Sequence, residues 1–239
     1  MKTVKVTILI IVMLLLMALT SCAATNQTGE DKVAKEPRKT EEKAPVKEKK
    51  PTDIDYLVVV DKTHTLPDGW EDRIELVSVM NAVGDEVKTE KAAYEAYLKL
   101  KKNLESEGVH VDLDSAYRSV EEQQKIIEDF TEKYGADYAN SYAAPPGTSE
   151  HHTGLALDLF LIVDGNIVYE NEDLVRYPEI WAKIHETMPE YGFVLSYNGE
   201  NGTVYEPWHI RYVGFEAAKE MTEKNLTLEE YIISKEEKQ

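Results

Sequence analysis

The spacing of apolar positions changes several times along the chain, and the changes outline its elements. Residues 56–60, Tyr-Leu-Val-Val-Val, form a short apolar run that reads as a strand or a buried edge. Pro67, Asp68 and Gly69 signal a turn after it. Over 89–107 the residues Ala93, Tyr94, Tyr97, Leu98 and Leu104 recur at helical spacing, with Thr89 as N-cap and Gly108 as the stop. Residues 109–113 alternate like a strand. Ser119, with Glu122 three residues on, is a capping box that opens a helix reaching about Tyr134, before Gly135. Residues 140–154 read as loop and 155–163 as a strong strand, and Asp164-Gly165 makes a hairpin turn into Ile167-Val168-Tyr169. Pro178 starts a helix that Gly192 stops. Residues 193–195 and 205–212 read as strands around a Gly/Asn-rich loop, and 214–233 is mostly helical. Helices and strands interleave, and several strands join by short turns. The pattern predicts an α+β fold: a single domain with a central antiparallel sheet flanked by helices.

The N-terminal residues follow other rules. Lys2 and Lys5 precede an apolar run, Ile8 to Leu19, too short to span a membrane comfortably as a mature helix. It ends in Leu19-Thr20-Ser21-Cys22, which resembles a bacterial lipobox. That resemblance implies cleavage before Cys22, with lipid on its sulfur and on the new amino terminus. An ordinary secretory signal or an uncleaved anchor is the alternative. Residues 23–53 hold 8 Lys/Arg and 7 Asp/Glu with almost no large apolar side chains, a composition that does not offset its own ordering entropy. The organisation expected is a lipoprotein signal peptide over 1–22, a disordered charged tether over 23–53 and a folded domain over 54–239. The expected location is extracytoplasmic, with the lipid on Cys22 anchoring the protein to the bacterial cell membrane.

Charge narrows the partners. The 239 residues carry a net −18, and removing the first 53 leaves 17 Lys/Arg against 38 Asp/Glu, or −21. A surface this acidic excludes nucleic acid as a partner and disfavours anionic lipid. One cysteine rules out a disulfide scaffold and any metal site made of several thiolates. Six histidines and many carboxylates leave a nitrogen/oxygen site open.

Two clusters suit such a site. One runs from Ser149 through Glu150-His151-His152 to Asp158, and the other is Glu206-Pro207-Trp208-His209. Catalytic zinc takes three protein ligands and leaves a position for water. A carboxylate three residues before the last histidine would serve as base. Strand geometry alone would put 206 and 209 on opposite faces, so a bend is required, and Pro207 suits one. Asp158 lies in an apolar strand, where a carboxylate is costly unless it binds metal or pairs with Arg118 or Arg211. Spacing alone does not choose between His151 and His152, and His209 or Glu206 taken singly suits a core or surface role. His64, His110 and His185 belong to no cluster. In a third cluster, Asp114 to Ser119 followed by Gln123, Arg118 sits at a strand-to-helix junction. There it would bind a carboxylate, steady an oxyanion, or form a simple salt bridge.

Together the clusters resemble the VanY-type D-alanyl-D-alanine carboxypeptidases, within the zinc peptidase superfamily that includes lysostaphin-type endopeptidases and the hedgehog domain. The pattern Ser-x-Tyr-Arg-Ser-x-x-x-Gln is met from Ser115 to Gln123. Pro-Gly-x-Ser-Glu-His-x-x-Gly-x-Ala-x-Asp is met from Pro146 to Asp158. Glu-Pro-Trp-His-x-Arg-Tyr-Val-Gly is met from Glu206 to Gly214. The resemblance implies a hedgehog/DD-peptidase-like fold and a zinc cofactor held by His151, Asp158 and His209. It implies Glu206 as general base and then acid, and Arg118 as the group that steadies the oxyanion. Ser149 and Gln123 would hold the terminal residue of a peptidoglycan stem peptide, with Tyr197 near the substrate and Trp208 walling the pocket. The implied reaction is removal of the terminal D-alanine from a pentapeptide; a monomer is expected. An L,D cut on a tetrapeptide, a cross-link endopeptidase and a non-catalytic wall-binding protein are the alternatives. The chain departs from the family after Leu195. It reads Ser196-Tyr197-Asn198 where Arg-Tyr-Pro is usual, and the loop to Glu206 is shorter.

Overall fold

The computed structural model describes residues 54–199 and 204–237. The signal segment, Cys22 and the tether over 23–53 lie outside them. Among the described residues no helix is long and apolar enough to cross a membrane.

The first elements are a hairpin, β1 (Leu76–Met80) and β2 (Glu86–Glu90), paired antiparallel. Helix α1 (Lys91–Ser106) follows directly. Its N-cap is Glu90, whose carboxylate accepts from the amides of Ala92 and Ala93, one residue beyond the expected Thr89. Thr89 is fully buried and turns its hydroxyl to the Gly154 carbonyl instead. Next come β3 (Val111–Ser115), α2 (Val120–Tyr134) and α3 (Ala136–Tyr142). The capping box of Ser119 and Glu122 forms in both directions. Helix α3 lies at the start of the stretch expected to be loop. A 3-10 turn at Glu150–Thr153 leads into β4 (Ala156–Val163). The turn at Asp164 and Gly165, both at positive φ, returns the chain as β5 (Asn166–Val168). Then follow α4 (Asn171–Leu174), α5 (Pro178–Thr187), β6 (Phe193–Val194) and β7 (His209–Tyr212). The helical tail is α6 (Phe215–Lys224) and α7 (Leu228–Glu236), broken at Asn225 in the left-handed region.

The main sheet runs β3-β4-β7-β6, with β5 also paired to β4, and every pairing is antiparallel. Because side chains alternate across a strand, β4 has two different faces. Leu157, Leu159 and Leu161 share one face with Ile210 and pack with Tyr97, Leu100 and Trp181 from the covering helices. Full burial of each leucine contributes about 1.5–3 kcal/mol. The other face carries Ala156, Asp158 and Phe160. Across the ladder Asp158 stands opposite His209, and Ala156 opposite Arg211. A bulge between Leu113 and Ser115 then brings Ser115 opposite Asp158 on the other side. One slip of register would turn the whole polar set into the core.

Residues 56–60 are a buried edge rather than a strand. Val58 and Val60 pack on Trp70, Ile74 and Leu155, while no ladder forms there. Glycine is required at two joints. Gly192 has φ +86, and a Cβ there would lie 2.8 Å from Tyr212 Cε2. Gly154, at φ +74, ends the 3-10 turn, and a Cβ there would press at 3.3 Å on Glu90 and Leu76.

Candidate metal centre

The ladder makes Asp158 and His209 neighbours, and the 3-10 turn that feeds β4 delivers His151 to them. One ligand atom from each of the three lies within 4.8 Å of the others. All three residues are buried. Each histidine has one nitrogen already fixed. His151 Nδ1–H donates to the Ala116 carbonyl at 2.6 Å, which leaves Nε2 as the lone-pair nitrogen. His209 Nε2 lies 2.9 Å from Glu150 Oε2, and its Nδ1 lies 2.9 Å from Asp158 Oδ1. Arg118 Nη2 donates to Asp158 Oδ2 at 2.6 Å and to His151 Nε2 at 2.7 Å. A positive group therefore sits on the same lone pairs that a cation would take. Two imidazole nitrogens and a carboxylate, oriented from behind, are a donor set suited to zinc.

Of the two adjacent histidines, His152 is turned away to a structural task. Its Nδ1–H donates to the Arg118 carbonyl at 2.7 Å, and its Nε2 accepts from the Gly147 amide at 3.0 Å. It ties the second motif to the first. His185 Nε2 meets the Pro207 carbonyl at 2.9 Å and braces the turn of the third motif. His64 is exposed and bonded to Asp61.

The bend required at Pro207 is present. The His209 amide donates to the Glu206 carbonyl at 3.0 Å, closing a turn that returns Glu206 to the side of His209. Glu206 lies on the wall of a cavity of about 250 Å³ that also reaches Arg118, His151 and Asp158. Burial pushes its carboxyl up to about 7, with Asp158 adding to the rise and the His209 and Arg118 charges opposing it. A carboxyl poised there accepts and returns a proton near neutral pH.

Ser149, Gln123, Tyr197 and Trp208 line the same cavity. Ser149 also caps the 3-10 turn, its hydroxyl accepting from the His151 amide at 3.3 Å. Gln123 is fully buried, with Oε1 on Arg118 Nη1 and Nε2 on the Ala144 carbonyl. Its direct effect is to fix Arg118, which Ser115 Oγ holds from another side at 2.9 Å. Tyr197 lies flat on the His209 ring, centroids 4.1 Å apart and planes 5° apart. Burial raises its phenol far above the ordinary range. Trp208 is buried and its carbonyl accepts the Leu159 amide.

The charges balance closely. Arg118 takes the role of ion-pair partner to Asp158, while Arg211 pairs with Glu150. Burial alone would raise both acids. The two histidines and Arg118 hold Asp158 well below its usual value, and Arg211, His209 and Ser196 hold Glu150 at about 2. Asp158 and Glu150 in turn lift His209 to about 9 against the effect of burial, whereas burial and Arg118 lower His151 to about 4. Sequence reasoning left Glu150 without a role. Arg211, offered by the sequence as one of two partners for Asp158, goes to Glu150 instead.

The VanY family profile, described as D-alanyl-D-alanine carboxypeptidase, matches residues 86–215. The YodJ protein of Bacillus subtilis (strain 168) is 32% identical over 183 residues, covering 73% of this chain and 66% of its own. A D-alanyl-D-alanine carboxypeptidase of Enterococcus faecium is 40% identical over 128 residues, 52% of this chain and 36% of its own. The chain thus spans from about a third to two thirds of the length of the curated relatives it matches. Among solved structures, a VanY D,D-pentapeptidase in complex with Zn(II) superposes with a TM-score of 0.61 at 28% identity, over 74% of this chain and 98% of that one.

Proposed function

This chain belongs to the VanY family of D-alanyl-D-alanine carboxypeptidases, and from that premise we propose that it is a zinc enzyme that removes the terminal D-alanine from peptidoglycan stem pentapeptides. The observation that carries the reading is Glu206, a buried carboxyl raised to about 7 on the wall of the cavity that His151 and Asp158 of the ligand cluster also line.

His151 Nε2, Asp158 and His209 Nδ1 would hold the metal. When bound, zinc supplies Lewis acidity at the scissile carbonyl and acidifies the attacking water. Glu206 takes the proton from that water on its carboxylate and passes it to the leaving amine. Its low-dielectric wall keeps the proton affinity near the working pH, where such transfer is most effective. Arg118, held at Nε by Ser115 and at Nη1 by Gln123, would turn its Nη2 from Asp158 and His151 to a developing oxyanion once those two hold the metal. Ser149 and Trp208 would shape the seat of the terminal residue, and Tyr197 holds the His209 ring plane. The acidic surface and the lipid on Cys22 fit a monomer held on the outer side of a bacterial membrane by the 23–53 tether.

The test is turnover by the purified, zinc-loaded protein on stem pentapeptide and, separately, on stem tetrapeptide, followed by mass spectrometry. Loss of one alanine from the pentapeptide alone, abolished by chelation and by Glu206→Ala, is expected. Loss from the tetrapeptide alone would make the cut L,D and point to the altered 196–205 loop. Trimming of neither, with zinc bound, would move the assignment to cross-link cleavage or wall binding.

A further inference from the structure

Of the two histidines in the cluster, His151 is held from behind by a backbone carbonyl and His209 by side chains, and those side chains reach to the start of the domain. His209 Nε2 meets Glu150 Oε2 at 2.9 Å. Ser196 Oγ donates to the same oxygen at 2.6 Å, and Arg211 Nη1 donates to Oε1 at 3.0 Å. Arg211 is fully buried. Its Nη2 donates to the carbonyls of Tyr56 and Val58, at 3.2 and 2.8 Å, and its Nε to that of Tyr212. A continuous path therefore runs from residues 56–58 through Arg211 and Glu150 to His209. Tyr56 and Val58 lie before residue 86, where the family match begins. Ser196 stands at one of the positions where this chain departs from the family pattern.

We propose that Glu150, locked by Ser196 and Arg211, is the positioning residue that sets the zinc affinity of His209, and that Arg211 makes the N-terminal segment 56–58 part of the metal site. This rests on the zinc reading given above. A carboxylate that accepts from Nε2–H leaves the lone pair of the ring on Nδ1, which faces Asp158. It also fixes the ring direction and makes the nitrogen a better donor. Partners of this kind change metal affinity by roughly 10- to 100-fold. Glu150 has no freedom to relax, because both its oxygens are used and its counter-charge is tied to three carbonyls. Gln at 150 keeps the shape but offers an NH2 face to Nε2, which favours the tautomer with the proton on Nδ1, where the metal would bind.

The test is the zinc dissociation constant of the full chain, measured by competition with a chromophoric chelator. Nitrogen chemical shifts of the zinc-loaded protein report the His209 tautomer. Glu150→Gln should weaken zinc roughly 10- to 100-fold. Ser196→Ala, which removes one donor and leaves the ion pair, should weaken it by a smaller factor. Arg211→Lys keeps the charge but loses the fork to Tyr56 and Val58. It should weaken zinc and speed hydrogen exchange over 56–60. Glu150→Gln or Ser196→Ala folded and binding zinc as tightly as wild type would overturn the role of Glu150. Arg211→Lys with faster exchange at 56–60 but unchanged zinc affinity would overturn the link to that segment. Wild-type protein that takes up no zinc would remove the metal reading itself and this inference with it.

Discussion

Replacing Glu206 by Gln should make the metal-free protein more stable while removing most of its activity. The buried carboxyl is raised from 4.5 to about 7, largely by loss of water. Ionising it inside the fold therefore costs on the order of 3 kcal/mol relative to the unfolded chain. Gln fills the same volume without the charge. The folded protein keeps this proton to higher pH than the unfolded chain does, so it binds more protons between pH 4.5 and 7 and loses stability as pH rises through that window. Below pH 4.5 the variant and the wild type should unfold alike. By pH 8 the variant should be more stable by on the order of 3 kcal/mol, the full ionisation cost. Urea denaturation with chelator present, repeated at pH 4.5, 6 and 8, reads this difference directly. Turnover of the zinc-loaded variant should fall about 10²- to 10⁴-fold, as expected for loss of a general base. Coincident denaturation midpoints at pH 8, or a less stable variant, would refute the reasoning, since the carboxylate would then be solvated or paired.

Other outcomes follow from neighbouring contacts. His151→Ala should lose zinc on dialysis, whereas His152→Ala should keep it and be destabilised by about 1–3 kcal/mol, because the Gly147 amide and Arg118 carbonyl lose their partner. Metal content and denaturant midpoints of the two variants check this. Gly192→Ala should destabilise the fold by roughly 1–3 kcal/mol, since the backbone is left-handed there and the methyl meets Tyr212, as a thermal melt would read. Glu150 is held at about 2 in the fold against 4.5 when free. The stability it contributes is complete above pH 4.5 and drains as pH falls toward 2. Acid unfolding of the metal-free protein should therefore be shallower over that range in Glu150→Gln.

How much of this was legible beforehand depended on how local the cause was. The capping box at Ser119, the Asp164-Gly165 turn and the apolar run of β4 are set within a few residues, and each forms where the sequence places it. The β1–β2 hairpin was missed although Leu76–Met80 and Glu86–Glu90 alternate. Their alternation is short, and Leu76 and Met80 remain exposed. Helix α3 was hidden beside Pro145 and Pro146, which drew the whole stretch toward loop. Residues 56–60 have a strand's composition, yet the carbonyls of Tyr56 and Val58 go to the Arg211 guanidinium, a tertiary contact that no periodicity reveals. In the site, the motifs pointed to Asp158, His209 and Glu206 and the family resemblance to His151 over His152; the ladder pairs Asp158 with His209, the 3-10 turn brings His151 to them, and a turn brings Glu206. The set of Glu150, Ser196 and Arg211 behind His209 was not legible, because it joins a 3-10 turn, a loop and a strand that are far apart in the chain, and the pattern of apolar residues does not mark that meeting.

Anomalous diffraction at the zinc edge, from crystals grown with one equivalent of zinc per chain, tests the central claim most directly. The account predicts a single strong peak bonded to His151 Nε2, Asp158 and His209 Nδ1, with Glu206 facing it and unbonded. A peak at other residues, or none, would contradict it.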